Sequence, residues 1–165
     1  MTPAKQRIID YIEQNASVFT SVSDQIWELA ELSLKEFASA QLYLDALKQG
    51  GFQVEENICG IQTAFSGSFG HGKPVIGILA EFDALSGLSQ KAGQTQREEL
   101  VKGGSGHGCG HNMLGAGSLA AAFAIKDYLA STGRKGTVIF YGCPGEEGGA
   151  GKAFMGRARL WEKLD

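Results

Sequence analysis

Residues 74–85 read Pro-Val-Ile-Gly-Ile-Leu-Ala-Glu-Phe-Asp-Ala-Leu, a nearly continuous apolar run that leads into two acidic residues. Pro74 to Leu79 has the composition of a short β-strand that is covered on both faces. Glu81 and Asp83 follow at alternate positions, so their side chains are expected to point the same way. Because ligands bind at the C-terminal edge of open α/β sheets, this stretch predicts a strand and one side of a binding site. A helix cap or a turn is the structural alternative for one of the carboxylates.

Helices and strands alternate along the rest of the chain, which predicts an α/β sandwich around a mostly parallel sheet. Three helices come first: one carrying Ile8, Ile9, Ile12, Val18 and Phe19, one capped by Ser21 or Ser23 and carrying Ile26 to Leu32, and one from about Glu36 to Gly50. The other predicted strands are Phe52 to Glu56, Ile61 to Phe65 and Thr137 to Tyr141, and the later helices are Met113 to Leu129 and Gly151 to Arg157. The polar stretch from Ser86 to Gly106 is long for a loop, which is typical of a functional segment.

The composition is that of a globular protein, with 43% hydrophobic and 20% charged residues in a chain of 165. The net charge of −3 has mixed signs and no basic stripe, which argues against a nucleic-acid partner. No apolar run approaches the ~18 residues of a membrane span, and the N-terminus lacks an apolar signal core. Cys59, Cys109 and Cys143 are widely spaced, as in a reducing compartment. We therefore expect a cytoplasmic protein without a membrane partner.

A glycine-rich stretch at residues 106–112, Gly-His-Gly-Cys-Gly-His-Asn, holds a thiol and two imidazoles. Cys109 and His111 are separated by one glycine, so a bent loop lets both reach one metal ion of the zinc or manganese kind. The structural alternative is a small buried Cys109 and a helix-capping His111. His107 could be a ligand, a substrate contact or a loop residue, and His71 is expected to be a solvated turn residue.

A second stretch at residues 144–149, Pro-Gly-Glu-Glu-Gly-Gly, follows the predicted strand Thr137 to Tyr141. The side chains of Glu146 and Glu147 diverge because the residues are adjacent. One carboxylate can therefore bind a metal while its neighbour faces the water that attacks a substrate. A solvated surface pair is the structural alternative, and Cys143 is expected only to pack.

These motifs, in this order, resemble the amidohydrolase branch of the dinuclear metallopeptidases, which includes aminoacylase, carboxypeptidase G and the indole-acetyl-amino-acid hydrolases. The aminobenzoyl-glutamate utilization hydrolases are the most similar group. Shared segments include Ile26-Trp27-Glu28 and residues 60–65, 72–77 and 88–90. The resemblance implies a three-layer α/β/α sandwich of the zinc-exopeptidase type and two divalent ions, zinc or manganese.

The resemblance also assigns roles to five residues. Cys109 and His111 match the metal-binding loop of the family, and Glu147 matches a metal-ligand glutamate. Glu146 matches the general base, and Asp83 matches an acidic residue that steadies the loops of the metal site. Glu146 and Asp83 are thus the predicted catalytic residues.

Three positions depart from the usual family pattern. Asn112 stands where aspartate is common, Gly145 where alanine is usual and Ser86 where proline is usual. Asn112 is the form that the aminobenzoyl-glutamate branch tends to carry, and all three departures are expected to be tolerated.

The implied reaction is hydrolysis of the amide bond of N-acyl amino acids, with aminobenzoyl-glutamate-like molecules as the small-molecule substrates. Members of the family are much longer chains that form homo-oligomers. We therefore expect residues 1–165 to be the N-terminal part of a catalytic domain, without the lid or dimerisation domain and the C-terminal part. The alternatives are a catalytically incomplete homologue that acts as a metal-binding or interaction module, and a structural zinc site.

Overall fold

A computed structural model describes residues 1–165. The strands are β1 (Gln53–Glu56), β2 (Phe65–His71), β3 (Val75–Ala80) and β4 (Gly136–Gly142). The α-helices are α1 (Pro3–Gln14), α2 (Ala16–Leu29), α3 (Phe37–Gln49), α4 (His111–Thr132) and α5 (Gly151–Arg157), and short 3-10 helices span Ile58–Gly60 and Leu160–Lys163.

The four strands form one mixed sheet in the order β1-β2-β4-β3. β3 and β4 are parallel, whereas the β1–β2 and β2–β4 pairs are antiparallel. The expectation of a mostly parallel sheet is therefore wrong. A parallel pair needs a long crossover, which α4 provides between β3 and β4. β4 then lies between β2 and β3 and runs antiparallel to β2, and a short connection joins the antiparallel strands β1 and β2.

Strand β4 lies inside the sheet, and its side chains alternate between two cores. Val138 and Phe140 pack in the larger core, with side chains from α2, α3 and α4. Ile139 and Tyr141 face the opposite core, which they share with Met155 of α5. Helices cover both faces of the sheet, which confirms the predicted α/β sandwich.

Strand β3 lies at an edge of the sheet and has only β4 beside it. Ile76 and Leu79 remain 44% and 41% exposed, so this strand is not covered on both faces as its apolar run predicts. Its C-terminal end is nevertheless buried at Ala80, where the chain passes under α4.

The first two helices differ from their predicted division. α1 ends at Gln14, and the Asn15 backbone N–H donates to the Tyr11 carbonyl oxygen, so Phe19 lies on α2 and not on the first helix. Ser21 and Ser23 therefore lie inside α2 and cap nothing. Ser23 is buried, and its hydroxyl accepts a hydrogen bond from Asn112 of α4.

The second strand also differs, because β2 begins at Phe65 and Ile61 to Phe65 is not a strand. Residues 61–64 form a turn, in which the Ala64 N–H donates to the Ile61 carbonyl oxygen at 3.1 Å. Their apolar side chains cover the smaller core instead of forming a strand. β2 itself is Phe-Ser-Gly-Ser-Phe-Gly-His, a composition with little strand signal.

The remaining elements follow the sequence pattern. The predicted third helix corresponds to α3 and the predicted helix at 113–129 to α4, and α5 has the predicted bounds. The strands predicted at residues 52–56, 74–79 and 137–141 correspond to β1, β3 and β4. No helix or strand occurs between Ala80 and His111, and this connection includes the long loop predicted from Ser86 to Gly106. None of the helices combines the length and the apolar character that crossing a bilayer requires.

Candidate metal centre

Glu81 and Asp83 reach the edge of the sheet because Phe82 between them is anchored in the larger core. Phe82 is fully buried, and its ring lies 5.6 Å from the Tyr43 ring. Alternation along the extended chain directs both neighbours away from that core. Both carboxylates accordingly contact the same residue, His111.

His111 is the first residue of α4, and the helix approaches the end of β3 closely enough to place this ring between the two carboxylates. Gly115 permits the approach, since a Cβ atom there would lie 2.2 Å from Tyr43 Oη and 2.6 Å from the Glu81 carbonyl oxygen. A larger side chain would push the N-terminus of α4 away from the strand.

The contacts of His111 define which ring nitrogen carries hydrogen. Nδ1 lies 3.0 Å from Asp83 Oδ1 and 3.1 Å from the Asp83 carbonyl oxygen, and a carbonyl oxygen only accepts hydrogen bonds. Nδ1 is therefore a donor. Nε2 faces carboxylate oxygens of Glu81, Glu146 and Glu147 at 3.0, 3.7 and 3.9 Å. A metal cation at this point would be attracted by the crowded carboxylates.

Cys109, His111 and Glu147 form the first candidate ligand set. Their ligand atoms all lie within 4.8 Å of one another. Glu147 Oε1 is buried and has no hydrogen-bond partner, which is costly for a carboxylate oxygen unless a cation binds it. The neighbouring Glu147 carboxylate raises the pKa of the Cys109 thiol, both through its contact with the thiol and through its charge. A thiol, an imidazole and a carboxylate are suitable ligands for zinc, and the loop leaves Cys109 exposed to incoming ions.

Glu81, His111 and Glu146 form a second set, which shares His111 with the first. Glu81 also forms an ion pair with Lys152 of α5. Glu81 is not among the site residues predicted from the sequence. Its alternate position after the strand was the signal that could have identified it.

Asp83 connects two residues of the first ligand set. Its Oδ1 faces His111 Nδ1, while its Oδ2 accepts hydrogen bonds from the Glu147 backbone N–H at 2.9 Å and from the Ser33 hydroxyl at 2.7 Å. The carboxylate is 1% exposed, so these charge-assisted bonds are shielded from water. The structure thus brings all five predicted site residues together, and their chemical roles remain predictions.

Glu36 contacts the loop that carries Glu146 and Glu147, and the sequence alone does not indicate this contact. Its side chain accepts a hydrogen bond from the Gly145 backbone N–H at 2.8 Å, next to Glu146 in the chain. Burial raises the pKa of the Glu36 carboxyl. The sequence around this residue shows only a polar position at the start of a helix.

His107 belongs to neither ligand set. It is buried, its Nε2 lies 3.0 Å from the Ile26 carbonyl oxygen, and its ring stacks on Trp27 with 6.4 Å between the ring centroids. Burial lowers the pKa of His107 and favours the neutral ring. Asn112 donates to Ser23 Oγ at 3.1 Å and so joins α4 to α2.

The remaining candidates lie away from the ligand atoms. Cys143 packs in the smaller core, where burial raises its pKa to about 12. His71 is exposed, as expected, although it ends β2 instead of lying in the turn.

Comparison with known proteins gives matches in both sequence and structure. Residues 77–165 match the sequence profile of peptidase family M20/M25/M40. Over 158 residues the chain is 50% identical to a subunit of the p-aminobenzoyl-glutamate hydrolase of Escherichia coli strain K12, covering 96% of this chain and 33% of that protein. The chain thus spans about a third of the length of this curated relative.

Two solved structures share the fold. A Bacillus subtilis dinuclear metal binding peptidase from the M20 family gives a TM-score of 0.65 at 23% identity, covering 92% of this chain and 42% of that one. An aminobenzoyl-glutamate utilization protein from Klebsiella pneumoniae gives 0.67 at 17% identity, covering 96% and 44%. The resemblance seen in the motifs is confirmed by the profile match, which spans more than half of the chain: the protein belongs to peptidase family M20/M25/M40.

Proposed function

We propose that residues 1–165 form the N-terminal, metal-binding part of the catalytic domain of a metal-dependent amidohydrolase. The observation that carries this proposal is the convergence of Cys109, His111 and Glu147 within 4.8 Å, where α4 begins and the chain leaves β4. The proposed substrates are N-acyl amino acids of the p-aminobenzoyl-glutamate type. This substrate class rests on the 50% identity to the Escherichia coli hydrolase.

The residues present suit a divalent ion. Cys109, His111 and Glu147 would hold it, and the crowded carboxylates together with the unpaired Glu147 Oε1 supply the negative charge. Bound zinc or manganese supplies Lewis acidity, which polarises the amide carbonyl and lowers the pKa of water. Two such ions are proposed for the complete enzyme.

Two residues of the chain have separate roles in the proposed reaction: Glu146 transfers the proton, and Asp83 orients His111. The Glu146 side chain is 39% exposed and ends 3.7 Å from His111 Nε2, so it can face both solvent and the ligand set. In the proposed reaction it takes the proton of the attacking water and returns it to the leaving amine. Asp83 keeps hydrogen on His111 Nδ1, which leaves Nε2 for the metal.

The test uses the purified chain, stripped of metal and then titrated with zinc or manganese. We expect binding in the wild type and clear weakening in Cys109→Ala and in Glu147→Gln. Cys59→Ala is the matched control, because Cys59 is an exposed cysteine outside both ligand sets. Equal affinity in the Cys109→Ala and Cys59→Ala variants would contradict the proposed site. Release of glutamate from p-aminobenzoyl-glutamate then tests the substrate class.

A metal-binding module without efficient turnover is the second candidate function. The observation in its favour is that both ligand sets depend on His111, so they cannot each keep three ligands at once. In this case the chain binds metal but releases glutamate far more slowly than the ~1–10³ per second of ordinary enzymes. Turnover within that range would exclude this candidate.

A further inference from the structure

Glu36 is a fully buried carboxylate, with 0% exposure, that lies outside both ligand sets. Its Oε1 accepts hydrogen bonds from the backbone N–H groups of Leu34 and Gly145, each at 2.8 Å. Its Oε2 accepts one from the Thr63 hydroxyl at 3.0 Å. A buried charge with several donors holds them firmly, because charge-assisted bonds are short and strong.

The Gly145 contact joins Glu36 to the Glu146–Glu147 dipeptide. Gly145 is buried and adopts a φ of +68°, and a Cβ atom there would lie 2.9 Å from Leu34 Cδ2. The segment before α3 therefore packs directly on this loop. On the other side of Glu146, the Glu147 N–H is fixed by Asp83 at 2.9 Å. Both backbone N–H groups that flank Glu146 are thus held by buried carboxylates.

We propose that Glu36 is a positioning residue that fixes the Gly145 N–H and thereby orients Glu146 and Glu147. The consequence for metal binding rests on the proposed function, in which Glu147 is a ligand. The consequence for the loop does not, since the hydrogen bonds exist within the chain itself.

Two substitutions distinguish the role of the Glu36 side-chain oxygen atoms from the role of the Glu36 charge. In Glu36→Gln, the amide oxygen can keep both backbone N–H contacts, and the amide nitrogen can donate to the Thr63 hydroxyl. In Glu36→Ala, the buried Gly145 N–H loses its acceptor. Glu36→Gln should therefore keep the Gly145 N–H in place, and Glu36→Ala should not.

Glu31 provides a matched control. Its carboxylate also accepts three hydrogen bonds, from the Ser39 N–H and hydroxyl, each at 2.8 Å, and from the Ala38 N–H at 3.1 Å. These bonds cap the start of α3 and do not reach the loop. Glu31→Ala should therefore destabilise the chain without altering the loop.

The first measurement is amide hydrogen exchange of Gly145 and Glu147 in the metal-free chain. Losing one buried hydrogen bond should raise their exchange rates in Glu36→Ala about tenfold or more. Glu36→Gln and Glu31→Ala should leave these rates within about threefold of the wild type. Wild-type exchange in Glu36→Ala, or equal acceleration in Glu31→Ala, would overturn the proposal. If Glu36→Ala does not fold, Glu36→Asp, whose shorter side chain cannot reach Gly145, takes its place.

The second measurement is zinc affinity of the same variants. We expect affinity to fall about tenfold in Glu36→Ala and to return in Glu36→Gln, while Glu31→Ala binds like the wild type. A wild-type chain that binds no zinc would refute the proposed function, and hydrogen exchange would still decide the role of Glu36. Wild-type zinc affinity in a folded Glu36→Ala variant would overturn the positioning role.

Discussion

Asp83→Asn changes one oxygen of the buried carboxylate into an amide nitrogen. In the wild type, Oδ1 faces His111 Nδ1 at 3.0 Å and Oδ2 accepts from the Glu147 N–H at 2.9 Å. An asparagine has one accepting oxygen and one donating nitrogen. Whichever way the amide turns, it places a donor against either the His111 or the Glu147 donor.

The cost follows from these contacts. A buried donor left without an acceptor costs about 1–3 kcal/mol. Loss of a carboxylate that orients a metal-ligating histidine typically costs about 10–100-fold in metal affinity, which corresponds to ~1.4–2.8 kcal/mol. The first range applies to the stability of the folded chain and the second to metal binding, so we expect Asp83→Asn to raise the zinc dissociation constant about 10–100-fold.

The assay is a competitive zinc titration at constant pH, with circular dichroism as the check on folding. Ser33→Ala is the control, because it removes the 2.7 Å hydrogen bond to Asp83 Oδ2 but leaves the His111 and Glu147 contacts in place. It should change the affinity by less than about threefold. Asp83→Asn binding like the wild type, or Ser33→Ala weakening zinc binding equally, would refute the reasoning.

Three further variants test the loop and its charges. Gly145→Ala should lower the free energy of unfolding by about 1–2 kcal/mol, because φ is +68° and a Cβ atom would collide with the Leu34 side chain. Urea unfolding measures this against the control Gly148→Ala, whose Cβ atom would come no closer than 3.7 Å to another residue. An equal loss of stability in the two variants would contradict the prediction. In the complete enzyme, Glu146→Gln should bind zinc normally but hydrolyse p-aminobenzoyl-glutamate ~10²–10⁴-fold more slowly, and an undiminished rate would place the base elsewhere. Burial raises the pKa of Glu36 above its ordinary 4.5, so the folded chain holds that proton more tightly and the wild type should lose stability relative to Glu36→Gln as the pH rises above that value. Urea unfolding between about pH 4 and 8 measures the difference, and a constant difference would contradict the shift.

Local signals were sufficient for most of the helices. The bounds of α5 coincide with the predicted Gly151 to Arg157, and the predicted Gly50 ends α3 as its C-terminal cap. Strand β2 could not be found in this way, since its serine and glycine content carries little strand signal and pairing with β1 and β4 stabilises it. Strand pairing depends on contacts between distant residues, which periodicity does not encode.

The candidate site likewise contains residues that the sequence predicts and one that it does not. Cys109, His111 and the Glu146–Glu147 pair were recognised because their residue types and spacing carry the chemistry. Glu36 could not be recognised, since its importance depends on a contact with Gly145, which is 109 positions away in the chain. Residues that bind a metal have a local signature, whereas residues that orient them are defined by the folded chain.

The most direct test of the central claim is the absorption spectrum of the chain titrated with Co²⁺, which reports a bond between cobalt and a thiolate. We predict a sulfur-to-cobalt charge-transfer band in the wild type that survives in Cys59→Ala and disappears in Cys109→Ala. Both cysteines are exposed, so the comparison isolates the ligand set of Cys109, His111 and Glu147. A band that persists in Cys109→Ala, or that never forms in the wild type, would contradict the claim that this loop holds a metal.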